Sequence, residues 1–288
     1  MARDLFFGMA EASSIFMLGR IFLPLIQALP RSTKDLLYRY CKQYAESYEG
    51  INNPDPTKNG ELWVIQQFIP RCSVVFDVGA HLGEWAQLVL KYNPAVQLHC
   101  FEPSAFTFQK LSAQNFPSNV ICNNFGLSSQ DGEAKLRIFT EGNGMNSLYQ
   151  RSGLQDRGIA FQEKQETVML KTLDGYCEDK NIQAIDFLKI DVEGHELEVL
   201  RGSERMLREK RIGMIQFEYG GCNIDSRVLL KDLFDVFKEL PYEFYKILPT
   251  GPKRVSGYSQ QFENFQYSNW LAIHRESKAI FHATVKKS

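Results

Sequence analysis

Val74-Val-Phe-Asp-Val-Gly-Ala-His-Leu-Gly-Glu-Trp85 is the stretch that decides the fold. A run of β-branched and aromatic residues leads into Asp77, and the strand that it predicts covers Val74–Val78. Two glycines four positions apart follow, and then a helix-compatible run from Glu84 to Tyr92 that Asn93-Pro94 stops. A short apolar run bounded by glycine is typical of a buried strand. The stretch therefore predicts a strand, a tight turn and a helix N-terminus, the unit that binds nucleotide-like ligands in open α/β sheets.

The rest of the chain carries the pattern of a mostly parallel sheet. Short apolar runs alternate with helical stretches after residue 74, as in βαβ units. The further strands predicted in this way cover residues 96–101, 119–123, 185–190, 212–217, 243–248 and 269–274. Two more strand-like segments, 134–140 and 167–172, flank a polar, glycine-rich stretch and predict a β-hairpin insertion with a long loop.

Composition narrows the class of protein. Hydrophobic residues make up 44% and charged residues 23% of the 288 positions, which is ordinary for a soluble globular chain. A formal net charge of −1 gives no electrostatic footprint for DNA or RNA, so no nucleic-acid partner is expected. The six cysteines show neither a CxxC pair nor zinc-ligand spacing, which indicates reduced, structural thiols in a cytoplasmic protein.

The N-terminal segment 5–29 is apolar, but Glu11 and Arg20 interrupt it and Pro24 breaks it. It fits neither a membrane-spanning helix nor a secretory signal. We interpret it as an amphipathic helix packed on the domain, with peripheral membrane contact through residues 5–29 as the alternative. A turn-rich connector over 51–60 marks a boundary, so we predict a helical extension (1–58), a ligand-binding domain (59–275) and a C-terminal tail (276–288).

Acidic residues follow four of the predicted strands. They are Asp77, Glu102, Asp191 with Glu193 close behind, and Glu218. Ligands in open α/β sheets bind outside the carboxyl ends of the strands, where such carboxylates accept hydrogen bonds. We therefore expect these side chains to lie in one cleft.

The first turn indicates which ligand the cleft holds. Asp77-x-Gly79-x-x-x-Gly83 lacks the glycine spacing that brings backbone against a pyrophosphate, which disfavours a nicotinamide dehydrogenase. It also lacks the Lys-Ser/Thr pair of a phosphate-binding loop. A ligand with a cationic amino acid end suits this turn, and S-adenosylmethionine is one: it has an ammonium, a sulfonium and no phosphate. Glu102 is placed to accept hydrogen bonds from its ribose hydroxyls.

Three motifs together resemble the FkbM family of S-adenosylmethionine-dependent methyltransferases over residues 60–275. They are Phe76-Asp-Val-Gly-Ala-His-Leu-Gly83, Phe101-Glu-Pro-Ser104 and Leu188-Lys-Ile-Asp-Val-Glu-Gly-His-Glu196. The resemblance implies a class I methyltransferase (Rossmann-like) α/β fold, with a mostly parallel seven-stranded sheet whose last strand is antiparallel. Members of the family are typically O-methyltransferases that act on hydroxyls of sugars or polyketide-type natural products.

The resemblance also assigns the cofactor site. It places the methionine end on the first glycine turn and the ribose on Glu102, while His81 stands where many relatives carry Asn. The cofactor-binding residues expected on this basis are Asp77, Gly79, His81, Gly83, Glu102, Pro103, Ser104, Asn124 and Gly126.

The catalytic residues expected from the resemblance are Asp191, Glu193 and His195, and the substrate residues are Asn146, Ser147 and Glu218. An aliphatic hydroxyl is a poor nucleophile, so a base must help remove its proton. Our hypothesis makes Asp191 the base or orienting group, assisted by Glu193 or His195. No metal ligands are assigned; the alternative is a magnesium or manganese ion held by Asp191, Glu193 and Glu218, because such ions prefer oxygen ligands.

The sequence therefore predicts an S-adenosylmethionine-dependent O-methyltransferase whose acceptor is a small hydroxylated molecule of sugar, glycolipid or polyketide type. Two alternatives stay open: a small-molecule N- or C-methyltransferase, and an inactive S-adenosylmethionine-binding protein. The Asn-Pro-Pro-Tyr type motif of nucleic-acid N-methyltransferases is absent after the fourth strand, where Asp191-Val-Glu-Gly194 stands. No pattern in the sequence sets the oligomeric state.

Overall fold

The computed structural model of the protein describes residues 20, 22–139, 144–151 and 164–277. Two compact units make up the chain, one ending at Tyr48 and the other beginning at Glu49. Of the segment 5–29 that we considered for membrane contact, residues 5–19 and 21 lie outside the described residues. Among the helices that are described, none is long and apolar enough to cross a membrane.

Ten α-helices and eleven strands are used below. The helices are α1 (Arg31–Glu49), α2 (Pro56–Asn59), α3 (Glu61–Phe68), α4 (Glu84–Tyr92), α5 (Ala105–Ser112), α6 (Leu173–Asp179), α7 (Glu196–Arg201), α8 (Glu204–Arg208), α9 (Cys222–Ser226) and α10 (Leu230–Val236). The strands are β1 (Val74–Val78), β2 (Gln97–Phe101), β3 (Val120–Asn123), β4 (Gly126–Leu127), β5 (Gly132–Ile138), β6 (Lys164–Lys171), β7 (Ile185–Ile190), β8 (Ile212–Tyr219), β9 (Tyr242–Leu248), β10 (Gly251–Val255) and β11 (Ser268–His274).

The central sheet has eight strands in the order β10-β9-β11-β8-β7-β1-β2-β3. Strands β3, β2, β1, β7 and β8 pair in parallel, and β11 runs antiparallel to both β8 and β9. Without β10 this is a seven-stranded sheet in which only the last strand in the chain is antiparallel, which confirms the predicted class I methyltransferase fold. Strand β10 lies at the edge of the sheet. Because no further strand of the described residues pairs with it there, the N–H that Pro252 lacks is not needed for a hydrogen bond on that side.

The predicted β-hairpin insertion is also confirmed. Strands β5 and β6 pair antiparallel over their whole lengths, from Gly132 opposite Leu170 to Ile138 opposite Lys164. The two-residue strand β4 joins them in parallel with β6 and completes a three-stranded sheet. A strand of two residues is too short to carry a periodic signal, so β4 could not be predicted from local pattern.

The central sheet is buried on both faces, as parallel sheets are when helices cover them. Along β1, Phe76 packs on one face, with its ring 5.8 Å from that of Tyr176 in α6. Val75 packs on the other face with residues of α3 and α4. This alternation places Asp77 on the same face as Val75.

A row of polar side chains crosses that second face of the sheet. Register partners on adjacent strands form it: Cys122, Cys100, Asp77, Lys189 and Gln216. Asp77 is fully buried and Lys189 nearly so. Buried charges are stable only when they are paired. The ammonium of Lys189 must therefore lie close to the carboxylate of Asp77.

Candidate active site

The carboxyl ends of β1, β2, β7 and β8 enclose a cavity of about 420 Å³ together with the hairpin insertion. The strand-end residues Gly79, Glu102, Asp191, Glu193 and Glu218 all line it. The acids expected in one cleft therefore do lie together at this cavity, with one exception. Asp77 is not among the lining residues.

The first glycine turn forms one wall of the cavity. The backbone N–H groups of Gly79 and Ala80 both donate to the Phe101 carbonyl, each at 3.0 Å. Gly79 has φ +86°, and a Cβ built on it would lie 1.8 Å from the carbonyl oxygen of Asp191. Only glycine allows this approach. The turn after β1 therefore lies directly against the turn after β7.

Glu102 presents its carboxylate at the same wall. Its Oε1 accepts a hydrogen bond from the Ser104 N–H (2.9 Å) and its Oε2 accepts one from the His81 N–H (3.1 Å). Burial raises the pKa of Glu102 to about 7, although these two hydrogen bonds act to lower it. The side chain is thus fixed in place, and each oxygen keeps a lone pair for a ligand.

The other predicted cofactor residues divide into two groups. His81, Pro103 and Gly126 line the cavity. Asn124 instead braces the loop after β2, since its Nδ2 donates to the carbonyls of Glu102 (3.0 Å) and Pro103 (3.2 Å).

Ser104 and Gly83 serve the wall in other ways. Ser104 contributes the backbone N–H that holds Glu102. Gly83 begins α4 at φ +90°, and a Cβ there would meet Phe116 at 2.8 Å and Leu111 at 2.9 Å, so it permits close packing of the helix.

Lys189 lies between two carboxylates. Its Nζ is 2.8 Å from Asp191 Oδ2 and 3.7 Å from Asp77 Oδ1. Burial acts to lower the pKa of Lys189, but the two carboxylates outweigh it and hold that pKa above its usual range. Burial raises the pKa of Asp77 to about 6 against the opposing effect of Lys189. Asp191 is the partner that faces the cavity, and Asp77 supports the lysine from within the sheet.

Glu193 is held by the segment 144–151, which we call the clamp. The guanidinium of Arg151 contacts Glu193 Oε2, and its Nε lies 3.6 Å from Asp225 Oδ2. Ser147 Oγ donates to the Glu193 carbonyl at 2.8 Å. Burial raises the pKa of Glu193, while Arg151 acts to lower it. Glu193 thus joins the clamp to the turn after β7.

His195 makes the next contact with the clamp. Its Nδ1 is 2.9 Å from the Tyr149 hydroxyl, and its Nε2 is 2.9 Å from Ser128 Oγ. Burial lowers the pKa of His195 to about 4. The ring is therefore neutral at neutral pH, with one nitrogen donating and the other accepting.

The opposite end of the cavity has an acidic corner formed by Glu61, Asp191 and Glu218. Glu61 is fixed by Gln216, whose Nε2 donates to Oε1 at 2.7 Å, and by Asn59, whose Nδ2 donates to Oε2 at 3.1 Å. Burial raises the pKa of Glu218 well above its usual range, and the carboxylate of Asp191 raises it further. Glu218 therefore holds a proton more readily than an exposed glutamate does.

Two aromatic residues complete the acidic corner. The hydroxyl of Tyr267 is hydrogen-bonded to Glu218. Trp85 also lines the cavity, and its buried Nε1 donates to no group of the described residues. The corner thus offers carboxyl oxygens and an indole N–H to whatever binds there.

The predicted substrate residues of the insertion lie at the cavity as well. Asn146 and Ser147 both line it, and Asn146 Oδ1 accepts from the Phe139 N–H at 3.3 Å. For the alternative metal site, the described part of the chain holds no group of three or more His, Cys, Asp or Glu side chains that is arranged to bind an ion.

Glu61, Arg151, Lys189 and Tyr267 are among the residues of the site that were not assigned to it from the sequence. Only Lys189 carried a usable signal, because a charged residue inside an otherwise apolar strand must find a buried partner. Arg151 and Tyr267 lie in irregular segments, and Glu61 opens a short helix where an acid is ordinary.

The known proteins that this chain is similar to are methyltransferases. The sequence model of one family, described as "Methyltransferase FkbM domain", matches residues 77–244, more than half of the chain. The chain is 26% identical over 163 residues to the hexuronic acid methyltransferase AglP of Haloferax volcanii, which covers 55% of this chain and 62% of AglP. It is 23% identical over 232 residues to the 2-O-methyltransferase NoeI of Sinorhizobium fredii, covering 77% and 92% of the two chains.

Among solved structures, the crystal structure of a methyltransferase FkbM from Methylobacillus flagellatus aligns with a TM-score of 0.42 at 17% identity. The alignment covers 70% of this chain and 43% of that one. The chain thus spans less than two thirds of AglP and less than half of this structural relative.

Proposed function

The chain belongs to the FkbM methyltransferase family, and from that premise we propose that it is an S-adenosylmethionine-dependent O-methyltransferase acting on a sugar or natural-product hydroxyl. One observation carries the proposal: a single cavity has Glu102 fixed on one wall and Asp191, paired with Lys189, on another. The first can hold a ribose and the second can accept a proton.

The residues around Glu102 fit the cofactor. Each carboxylate oxygen is held by one backbone N–H and keeps a lone pair for a ribose hydroxyl. Next to it the cavity wall is apolar, formed by Leu127, Leu136 and Leu148, which suits the faces of an adenine ring. When bound, S-adenosylmethionine would supply the electrophilic methyl group.

Asp191 is the residue that we assign to the acceptor's proton. Lys189 occupies its Oδ2, which leaves Oδ1 to accept the proton of the acceptor's hydroxyl. The same contact with Lys189 fixes the orientation of the carboxylate at the cavity wall.

Glu193 and His195 take positioning roles in this proposal. Glu193 is occupied by Arg151, and the imidazole of His195 has both nitrogens bound and a pKa lowered to about 4 by burial. Neither nitrogen is therefore available to take a hydroxyl proton. Both side chains hold the clamp against the turn that carries Asp191.

The acidic corner indicates the kind of acceptor. Among the residues that the structure describes, the two cations at the site are already paired, Lys189 with Asp191 and Asp77, and Arg151 with Glu193. In the part of the chain that the structure describes, the corner thus offers carboxylate oxygens without an unpaired cation, which favours neutral, hydroxyl-rich molecules and disfavours anionic ones.

The six cysteines are free thiols. This supports our proposal that the enzyme acts in a reducing compartment such as the cytoplasm.

Transfer of a labelled methyl group to a panel of hydroxylated glycosides, together with calorimetric binding of S-adenosylhomocysteine, tests the proposal. We expect Asp191→Asn to bind the product cofactor like the wild type and to lose about 10²–10⁴-fold in turnover. The matched control Asp235→Asn, on the exposed side of α10, keeps both. If the wild type bound no cofactor, the proposed function would be wrong; undiminished turnover in Asp191→Asn would remove only its assigned base.

A further inference from the structure

Helix α1 exposes an unusual amount of aromatic surface. None of its residues is buried, and Leu36, Tyr40, Tyr44 and Tyr48 are each more than half exposed. Large apolar side chains grouped on a surface mark an interaction site.

These four residues share one face of α1, and Tyr38 is the one large exposed hydrophobic side chain of the helix that lies off it. The four recur every four positions, and residues four apart are neighbours on a helix. The rings of Tyr44 and Tyr48 stack, with centroids 6.4 Å apart. At 100° per residue, Arg31, Tyr38 and Lys42 fall on the opposite face. The helix is therefore amphipathic.

The strict four-residue spacing decides what kind of surface this face fits. Each step of four turns the position by about 40° around the helix, so the row from Leu36 to Tyr48 spreads over a broad face. A coiled coil with a second copy needs a narrow seam that repeats every 3.5 residues. A broad face rich in tyrosine suits the flat boundary of a bilayer, where the ring is apolar and the hydroxyl reaches the head groups.

The positive charge of this segment and its further exposed apolar residues favour an anionic lipid surface. Between residues 22 and 48 the chain carries four cations (Arg31, Lys34, Arg39 and Lys42) against the two acids Asp35 and Glu46, a formal +2 in a chain whose total is −1. The preceding residues Phe22, Leu23 and Leu25 are also more than half exposed and continue the apolar surface.

We propose that residues 22–48 form a binding surface for the interface of an anionic lipid bilayer. The tyrosine face of α1 inserts at the head-group boundary, and Lys34 and Arg39, which fall on the two flanks of that face, meet the lipid phosphates. This anchoring is separate from the proposed methyl transfer, since none of these residues lines the cavity.

Co-sedimentation of the full chain with vesicles tests the proposal. We expect binding to phosphatidylglycerol–phosphatidylcholine vesicles, weakened by added salt, and little binding to pure phosphatidylcholine. The double variant Tyr40→Ser/Tyr44→Ser loses about tenfold or more in vesicle affinity. The matched control Tyr38→Ser, on the opposite face, binds like the wild type.

A charge reversal separates the lipid surface from a merely structural role of the tyrosines. Lys34→Glu/Arg39→Glu keeps the apolar face but loses the preference for phosphatidylglycerol. All variants bind S-adenosylhomocysteine like the wild type. Absence of wild-type binding to anionic vesicles would overturn the proposal. So would a wild-type dimer in light scattering that Tyr40→Ser/Tyr44→Ser converts to a monomer, because a second copy would then cover this face.

Discussion

The protonation of Glu102 makes cofactor binding dependent on pH in a predictable direction. Burial raises the pKa of this carboxyl to about 7, and a ribose hydroxyl donates more strongly to a carboxylate than to a neutral acid. Binding therefore favours the ionised form, so affinity rises as the pH increases through 7. We predict that S-adenosylhomocysteine binds more tightly at pH 8 than at pH 6.

The size of the effect follows from the same pKa. Glu102 is about nine-tenths ionised at pH 8 and about one-tenth ionised at pH 6, so the competent fraction changes about ninefold, or about 1.3 kcal/mol. Calorimetry at pH 6, 7 and 8 measures the affinity. Repeating it in buffers of different ionisation enthalpy counts the proton released on binding, which should be largest near pH 6.

Two variants isolate Glu102 from other titrating groups, including those of the ligand. Glu102→Gln should bind more weakly and lose the part of the pH dependence that the carboxyl contributes. Glu133→Gln, the same change at an exposed position of β5, should keep the wild-type profile. If the wild-type and Glu102→Gln affinities ran parallel between pH 6 and pH 8, the reasoning about the ribose acceptor would be refuted.

Three further predictions concern the walls of the cavity. Gly79→Ala should lower the free energy of unfolding by about 3 kcal/mol or more in urea titrations, because the added methyl group would collide with the Asp191 carbonyl and the φ is left-handed. The control Gly132→Ala, where a Cβ has no atom within 4 Å, should lower it by about 1 kcal/mol or less. Equal losses in the two variants would contradict the geometry. Arg151→Gln should lower kcat and reduce the free energy of unfolding by about 3 kcal/mol, because it leaves Glu193 without its partner. Adding Glu193→Gln should recover part of that stability. Strictly additive effects of the two changes would mean that the pair does not interact. A neutral glycoside should exceed its uronic acid counterpart about tenfold in kcat/KM, whereas equal use would argue against the acidic corner as the acceptor site.

Elements with strong local signals were predicted well. Strands β1 and β7 and helix α4 have the bounds that the sequence indicated, because each is a continuous run ended by glycine, an acid or an Asn-Pro pair. Their strand ends also located the cavity, since parallel strands bring their carboxyl ends to one edge of the sheet.

Features that depend on distant pairing could not be predicted. Glu61 is fixed by Gln216, 155 residues away, and Arg151 reaches Glu193 across 42 residues. Asp77 illustrates a different difficulty. Strand β1 continues one residue past it to Val78, and the alternation of strand side chains turns it into the sheet instead of the cavity. No local pattern distinguishes these arrangements from an ordinary helix start or a strand-end ligand.

The contact between Gly79 and the Asp191 carbonyl has a consequence for protein engineering. The loop that would bind the cofactor and the loop that carries the base share a boundary without room for a single methyl group. Any redesign that moves one of them also moves the other, so acceptor preference cannot be altered there independently. Glu61 and Tyr267 reach the same cavity from separate parts of the chain. Libraries aimed at new acceptors should therefore vary those two positions and leave both loops untouched.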